Sequence, residues 1–119
     1  MSFQQIIPVL PSSDLARDVA WYKDKTGFEP VFADTMYAVL HRDGQSIHLQ
    51  WHADTEDDPL LGGSVIRISV NDVKIVFDEF VERGTVSAGK LIPRTAWYTS
   101  EFGFYDLNNN AIFIMQDLV

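Results

Sequence analysis

The sequence predicts an α+β fold: two tandem βαβββ modules whose strands form a curved mixed sheet around a cleft, with the helices on the outer face. Three observations predict it. Two amphipathic helical segments have marked ends, β-prone runs surround each of them in the same order, and the second set repeats the first at a fixed offset. Asp14 and Asp72, at the helix starts, stand 58 positions apart, and Gly27 and Gly84, at the helix ends, stand 57 apart. Self-similarity at a fixed spacing builds copies of one supersecondary unit. A sheet with a helix on one face still needs cover on the other, so two copies are expected to curve around a cavity.

The elements follow in chain order. IIPVL is a short β-prone run. In SSDLARDVAWYKDKTGF, Ser12 or Ser13 can cap a helix, Asp14 suits the positive end of its dipole, and Gly27 is the stop. Leu15, Val19 and Tyr22 recur at helical spacing as an inward stripe, with Ala16 and Ala20 beside it. FEPVFA, MYAVLH and SIHLQW then read as strands, the last two joined at Asp43-Gly44, a strong hairpin signal. The acidic stretch 53–63, rich in Asp, Pro and Gly, is a connector. SVIRISV opens the second copy, and NDVKIVFDEFVERG (residues 71–84) is its helix, with Val73, Val76, Phe77, Phe80 and Val81 as the stripe. GKLIPR, EFGFYD and AIFIMQ complete it, and NNNAIFIMQ answers DGQSIHLQ. In 119 residues these halves make a single domain, 1–119, with module 1 over about 1–53, the linker over about 53–63 and module 2 over about 63–119.

Composition narrows the function. The net charge of −8 leaves no basic face for phosphate contacts, so no nucleic-acid partner is expected, while a cationic small molecule is electrostatically favoured. With no cysteine there are no disulfides, thiolate metal sites or cysteine nucleophiles. No apolar run reaches membrane-spanning length, and MSFQQIIPVLPSSD has no basic residues before its short apolar stretch, so neither a membrane span nor a signal peptide is expected and the expected compartment is the cytoplasm. There is no G-x-S-x-G, P-loop or G-x-G-x-x-G motif. Glu101 could serve as a base, but the sequence supplies it with no partner.

His48 and His52 lie four apart in SIHLQWH, a spacing that would chelate a metal on a helix. Here Ile47, Leu49 and Trp51 alternate with His48, Gln50 and His52, which is a strand pattern, and four strand residues span roughly 13 Å. Two imidazoles at that distance cannot share one ion, whose bonds are about 2 Å long. His41 and His52 are expected in solvent at strand ends, Trp21 and Trp51 in packing, and Phe102 and Phe104 in the core.

Three stretches carry a family resemblance: IPVLPSSDLARDVAWYKDKTGFEPVF, MYAVLHRDGQSIHL and EFGFYDLNNNAIFIMQ. With the tandem βαβββ repeat they resemble the vicinal-oxygen-chelate superfamily (glyoxalases, ring-cleaving dioxygenases, bleomycin-resistance proteins), and the bleomycin-resistance proteins above all. The family's final turn, Asp-Pro-x-Gly-Asn, is Asp106-Leu107-Asn108-Asn109-Asn110 here; Asn tolerates the left-handed conformation that Gly supplies. The metal-binding members place ligands at slots matching Ile7, His48, Val65 and Phe113. Three of these are apolar, and a lone histidine falls short of the roughly three protein ligands of a catalytic zinc. The resemblance therefore implies no metal, no cofactor and a binding protein rather than an enzyme.

By parity with those slots, the concave face carries Ile7, His48, Gln50, Val65, Arg67, Ser69, Phe113 and Met115, while Ile47, Leu49, Ile66, Ile68, Ile112 and Ile114 face the helices. Tyr37 and Trp97 match aromatic rings with which the resistance proteins stack a planar ligand, with one residue more here between Trp97 and Glu101-Phe102. The implied ligand-binding set is Tyr37, His48, Gln50, Arg67, Trp97, Phe113 and Met115. The resemblance also implies a homodimer with ligand crevices at its interface and an N-terminal strand able to swap near Pro8. Asp34, Asp54, Glu56, Asp57 and Asp58 are the acidic residues that would draw in a cationic glycopeptide antibiotic such as bleomycin. The alternatives are a metal-dependent lyase or dioxygenase of the same superfamily, or a regulatory module with a vestigial groove.

Overall fold

In the computed structural model, which describes residues 2–119, the strand–helix–strand order read from the sequence occurs twice. The elements are β1 (Val9–Ser12), α1 (Leu15–Thr26), β2 (Glu29–Ala33), β3 (Tyr37–Arg42), β4 (Gln45–Trp51), β5 (Val65–Ser69), α2 (Val73–Glu82), β6 (Thr99–Tyr105) and β7 (Ala111–Asp117). They build two mixed sheets, one ordered β1-β4-β3-β2 and one ordered β5-β7-β6. β1 runs parallel to β4 and β5 parallel to β7, while the remaining pairs are antiparallel. The chain falls into two compact units: residues up to Lys23 with Gly27–Gly62, and Asp24–Thr26 with Gly63–Val119.

Two strand expectations need correction. GKLIPR is not a strand; it contributes an isolated bridge between Ile92 and Glu101. Pro93 has no N–H to extend the ladder, and the chain before it is occupied by a turn in which Lys90 N donates to Ser87 O (3.1 Å). β1 begins at Val9, so Ile7 lies before the strand and outside the open-face set; Pro8 offers the ladder only its carbonyl, which accepts from His48 N (3.0 Å).

The cap of α1 is Asp14, not a serine: its carboxylate accepts from Arg17 N at 3.1 Å, satisfying one of the orphan donors of the first turn. Ser12 instead turns inward, where its hydroxyl donates to Asp18, a carboxylate only 1% exposed. Arg17 Nε donates to the same carboxylate at 2.8 Å. The buried face of α1 is thus Leu15, Asp18, Tyr22 and Thr26, and Ala16 and Ala20 are exposed. Gly27 closes the helix at φ 75°, a left-handed conformation that Gly adopts without a Cβ penalty.

α2 is capped by Asp72, which accepts from Lys74 N and Ile75 N. Of the expected stripe, Val73, Phe77 and Phe80 are buried, and Val76 and Val81 are half-buried. Phe102 of β6 meets Phe77 and Phe80 edge-on at 5.2 and 5.6 Å, and Phe104, half-buried, packs on Phe80. Alternation then sets the two faces of each sheet. Ala38, Leu40, Ile47 and Leu49 are buried in the first sheet, and Phe102, Ile112 and Ile114 in the second. The opposite faces carry Tyr37, His48 and Gln50 in one unit, and Val65, Arg67, Ser69, Phe113 and Met115 in the other, all half-buried or exposed. In the turn before β7, buried Asp106 accepts from Asn108 N, Asn110 N and Asn110 Nδ2, while Asn109 takes the left-handed conformation at φ 63°.

Candidate functional site

The open face of the second unit is organised by one carboxylate. Glu101 is 3% exposed although it lies on the sheet face away from α2. Its backbone is fixed first: Glu101 N donates to Ile92 O (3.0 Å) and Ile92 N to Glu101 O (2.8 Å). Three side chains then donate to Oε1: Thr99 Oγ1 at 2.6 Å, Arg67 Nη2 at 2.9 Å and the indole Nε1 of Trp97 at 3.0 Å. Arg67 Nη1 also reaches Oε2 at 3.4 Å. Because Thr99 donates to the carboxylate, it accepts from Thr95 Oγ1 (2.8 Å), whose oxygen in turn accepts from Thr99 N. Registry explains the reach of Arg67. It pairs with Phe113, Phe113 with Gly103 and Met115 with Glu101, so the guanidinium crosses diagonally over β7 and lies 5.5 Å from the Phe113 ring centre. Gly103 is required beneath that ring, since a Cβ there would come within 2.7 Å of its carbons.

The Arg67 guanidinium, with the Thr99 and Trp97 donors, holds the Glu101 carboxyl at about 2 against the opposing effect of burial. Arg67 is correspondingly raised by its bond to Glu101. Glu101 has partners after all, and Arg67, Thr99 and Trp97 lower its basicity. The lowered value also makes a stability prediction. A carboxylate ordinary in the unfolded chain (4.5) and depressed to about 2 when folded contributes stability above pH 4.5, and that contribution is lost as pH falls toward 2. Urea midpoints measured between about pH 5 and pH 2.5 should fall less steeply in an Arg67→Ala variant than in the parent; equal slopes would show that the pair does not set the acid response.

The first unit carries a second arrangement. Tyr37 Oη lies 2.7 Å from His48 Nδ1, with the rings edge-to-face at 5.3 Å. With the tyrosine donating, a neutral imidazole carries its proton on Nε2 and offers a hydrogen-bond donor there. Tyr37 pairs directly with Gln50, whose side chain is exposed. Asp34 shapes the entry to β3 by accepting from Met36 N and Tyr37 N. Asp58 is likewise engaged rather than free to meet a ligand: it receives Ala53 N, and His52 Nδ1 lies 2.8 Å from it, a contact that lowers its pKa. His52 is therefore paired, not simply solvated, whereas His41 is exposed. Trp51 donates to Ser13 O (3.2 Å), and Trp21 meets Tyr22 edge-on at 5.0 Å. Asp54, Glu56 and Asp57 are exposed.

Of the sequence-derived set, the structure gathers Tyr37, His48 and Gln50 in one unit, and Arg67, Trp97, Phe113 and Met115 in the other. Glu101, the residue that ties the second group together, was missed as an anchor. Its signal was the period-two series Trp97, Thr99, Glu101, which places three polar-tipped side chains on one face. No group of three or more His, Cys, Asp or Glu side chains among the described residues could hold a metal ion, and Ile7, Val65 and Phe113 have no donor atoms, so the residues present do not fit a metal. No helix among the described residues is long and apolar enough to cross a membrane.

Two repeated units, each pairing a parallel strand contact with an antiparallel hairpin and each leaving one sheet face furnished with aromatic and polar groups, define the class of paired-module α+β proteins. The chain belongs to the glyoxalase/bleomycin resistance protein/dioxygenase superfamily, whose family model matches residues 4–114. A bleomycin resistance protein of Geobacillus stearothermophilus is 26% identical over 128 aligned positions, covering 96% of this chain and 97% of the relative. Two solved structures share the fold at TM-score 0.77 and 21% identity. One is a bleomycin resistance determinant encoded on transposon Tn5, where the match covers 98% of this chain and 100% of the other. The other is a bleomycin-binding protein in complex with bleomycin, covering 97% and 99%.

Proposed function

We propose that residues 1–119 act as one domain, a ligand-binding protein of the bleomycin-resistance type that sequesters a bleomycin-like cationic glycopeptide without turning it over. The observation that carries this reading is Trp97: the residue is 63% exposed, yet its indole is hydrogen-bonded to a buried carboxylate. A large aromatic left in solvent but tethered suits stacking on a flat ring system better than core packing. Tyr37, His48, Gln50, Arg67, Phe113 and Met115 are the other proposed contact residues, with His48 as a polar anchor. The relatives named above bear on the choice of drug, and the net charge of −8 favours a cation. The working form is a cytoplasmic homodimer whose N-terminal strand can exchange near Pro8.

Titration with bleomycin, followed by tryptophan fluorescence, tests this reading. Saturable quenching is expected, with the drug's Kd raised roughly ten- to thirtyfold in Trp97→Ala, as for loss of a central aromatic contact. A flat titration into the micromolar range would remove bleomycin as the ligand.

A further inference from the structure

We propose that Glu101 is the positioning residue of the open face of the second unit: it fixes the exposed indole of Trp97 and neutralises Arg67, so that the face accepts planar neutral or cationic rings and disfavours planar anions. The preference for ligand charge rests on the reading of Trp97 as a stacking platform; the positioning role does not.

An exposed tryptophan ordinarily samples several rotamers. Trp97 is tied to an oxygen that also receives Thr99 and Arg67, on a residue whose backbone is bridged to Ile92 in both directions. The tether is therefore as rigid as the strand itself, and the ordering entropy that a ligand would otherwise have to overcome is already met in the free protein. The backbone of the next residue, Tyr98, is fixed as well. It takes a left-handed φ of 63°, its N–H donates to Thr95 O, and Leu118 N donates to its carbonyl. A non-glycine residue in that region is held there by its surroundings.

Charge follows from the same contacts. Arg67 is the one cationic side chain on β5, β6 and β7, and it is bound to Glu101 through both terminal nitrogens. Its guanidinium lies over Phe113, which itself lies close over Gly103, so the charge that β5–β7 bring to this face is balanced, while Arg94, outside these strands, lies over the Tyr98 ring. An anionic ring system would find no unpaired cation on these strands, and it would have to pull Arg67 from a buried carboxylate to make one.

The first test needs no ligand. In a proton–nitrogen correlation spectrum the three tryptophans give three indole signals, and Trp97→Phe identifies one of them. Glu101→Ala should displace the Trp97 signal and leave those of Trp21 and Trp51 in place, and Glu101→Gln, which keeps an acceptor oxygen, should displace it less. A Trp97 signal unmoved by Glu101→Ala overturns the positioning role. Should either variant lose its fold, the parent protein decides. The Trp97 signal should hold from pH 7 to about pH 3 and shift as Glu101 takes up its proton toward pH 2, and a signal that acidification does not move in folded protein overturns the positioning role.

Charge selection is read with two planar probes, proflavine as the cation and pyrene sulfonate as the anion. Proflavine should bind at least roughly tenfold more tightly, and Glu101→Gln, which leaves the Arg67 charge unbalanced, should narrow the ratio to about threefold or less. A ratio unchanged by Glu101→Gln removes the charge selection. If bleomycin fails to bind while the indole and probe results hold, the antibiotic reading falls and the role of Glu101 stands.

Discussion

Asp18→Ala should lower the stability of the protein by about 3 kcal/mol, read as a drop in the urea midpoint at unchanged slope. The size follows from what the carboxylate leaves behind. Asp18 sits 1% exposed on α1 and accepts from Ser12, itself fully buried, and from Arg17. Without it the Ser12 O–H loses its acceptor in the interior, although its oxygen still receives Asp14 N, and an unsatisfied buried donor costs about 1–3 kcal/mol. Arg17 adds less, because its side chain is 44% exposed and can return to water. Ser12→Ala alone should also destabilise, since it deprives a buried carboxylate of a donor. The double variant Ser12→Ala/Asp18→Ala should lose less than the sum of the two, because neither partner then remains to be stranded. Additive losses, or an Asp18→Ala change within about 0.5 kcal/mol, would show that the pair does not hold the start of α1.

That pair marks the limit of what the sequence made legible. Period-3.6 and period-2 patterns located both helices and all seven strands, because burying one face of each element is what those patterns encode. The same patterns sorted His48 and Gln50 from Ile47 and Leu49, and Phe113 and Met115 from Ile112 and Ile114. They could not register Asp18, because a charged residue reads as solvent-facing until the serine that satisfies it is known to turn inward. The face on which Glu101 lies was legible in the Trp97, Thr99, Glu101 alternation, but its partner was not, for a related reason. Its carboxylate is paired with Arg67, which is 34 positions away, and a single sequence does not reveal which cation a strand register will deliver. GKLIPR failed differently: its composition allowed a strand, but Pro93 and the turn at Ser87–Lys90 leave only the Ile92 bridge to Glu101.

Phe102→Ala should destabilise the protein by about 3–5 kcal/mol, the range for emptying an aromatic site in a core that cannot collapse around it. Phe102 is 1% exposed, lies edge-on to Phe77 and Phe80 of α2, and is stacked beside Phe104 at 6.4 Å. Three aromatic neighbours in staggered orientations leave a void that small side-chain shifts cannot fill. The consequence for the site is separable from the loss of stability, because Glu101 and Phe102 are successive residues of β6 with side chains on opposite faces. Glu101→Gln should change the Trp97 indole environment and lower the urea midpoint above about pH 4.5, the difference from the parent closing as pH falls toward 2. Phe102→Ala should lower the midpoint steeply while the folded fraction keeps the Trp97 signal of the parent. If Phe102→Ala moved the Trp97 signal in folded protein as far as Glu101→Ala does, the indole would be held by the packing of β6 on α2 rather than by the carboxylate. The indole spectrum of the folded sample distinguishes the two, since it reads the open face of the strand whatever the loss of stability.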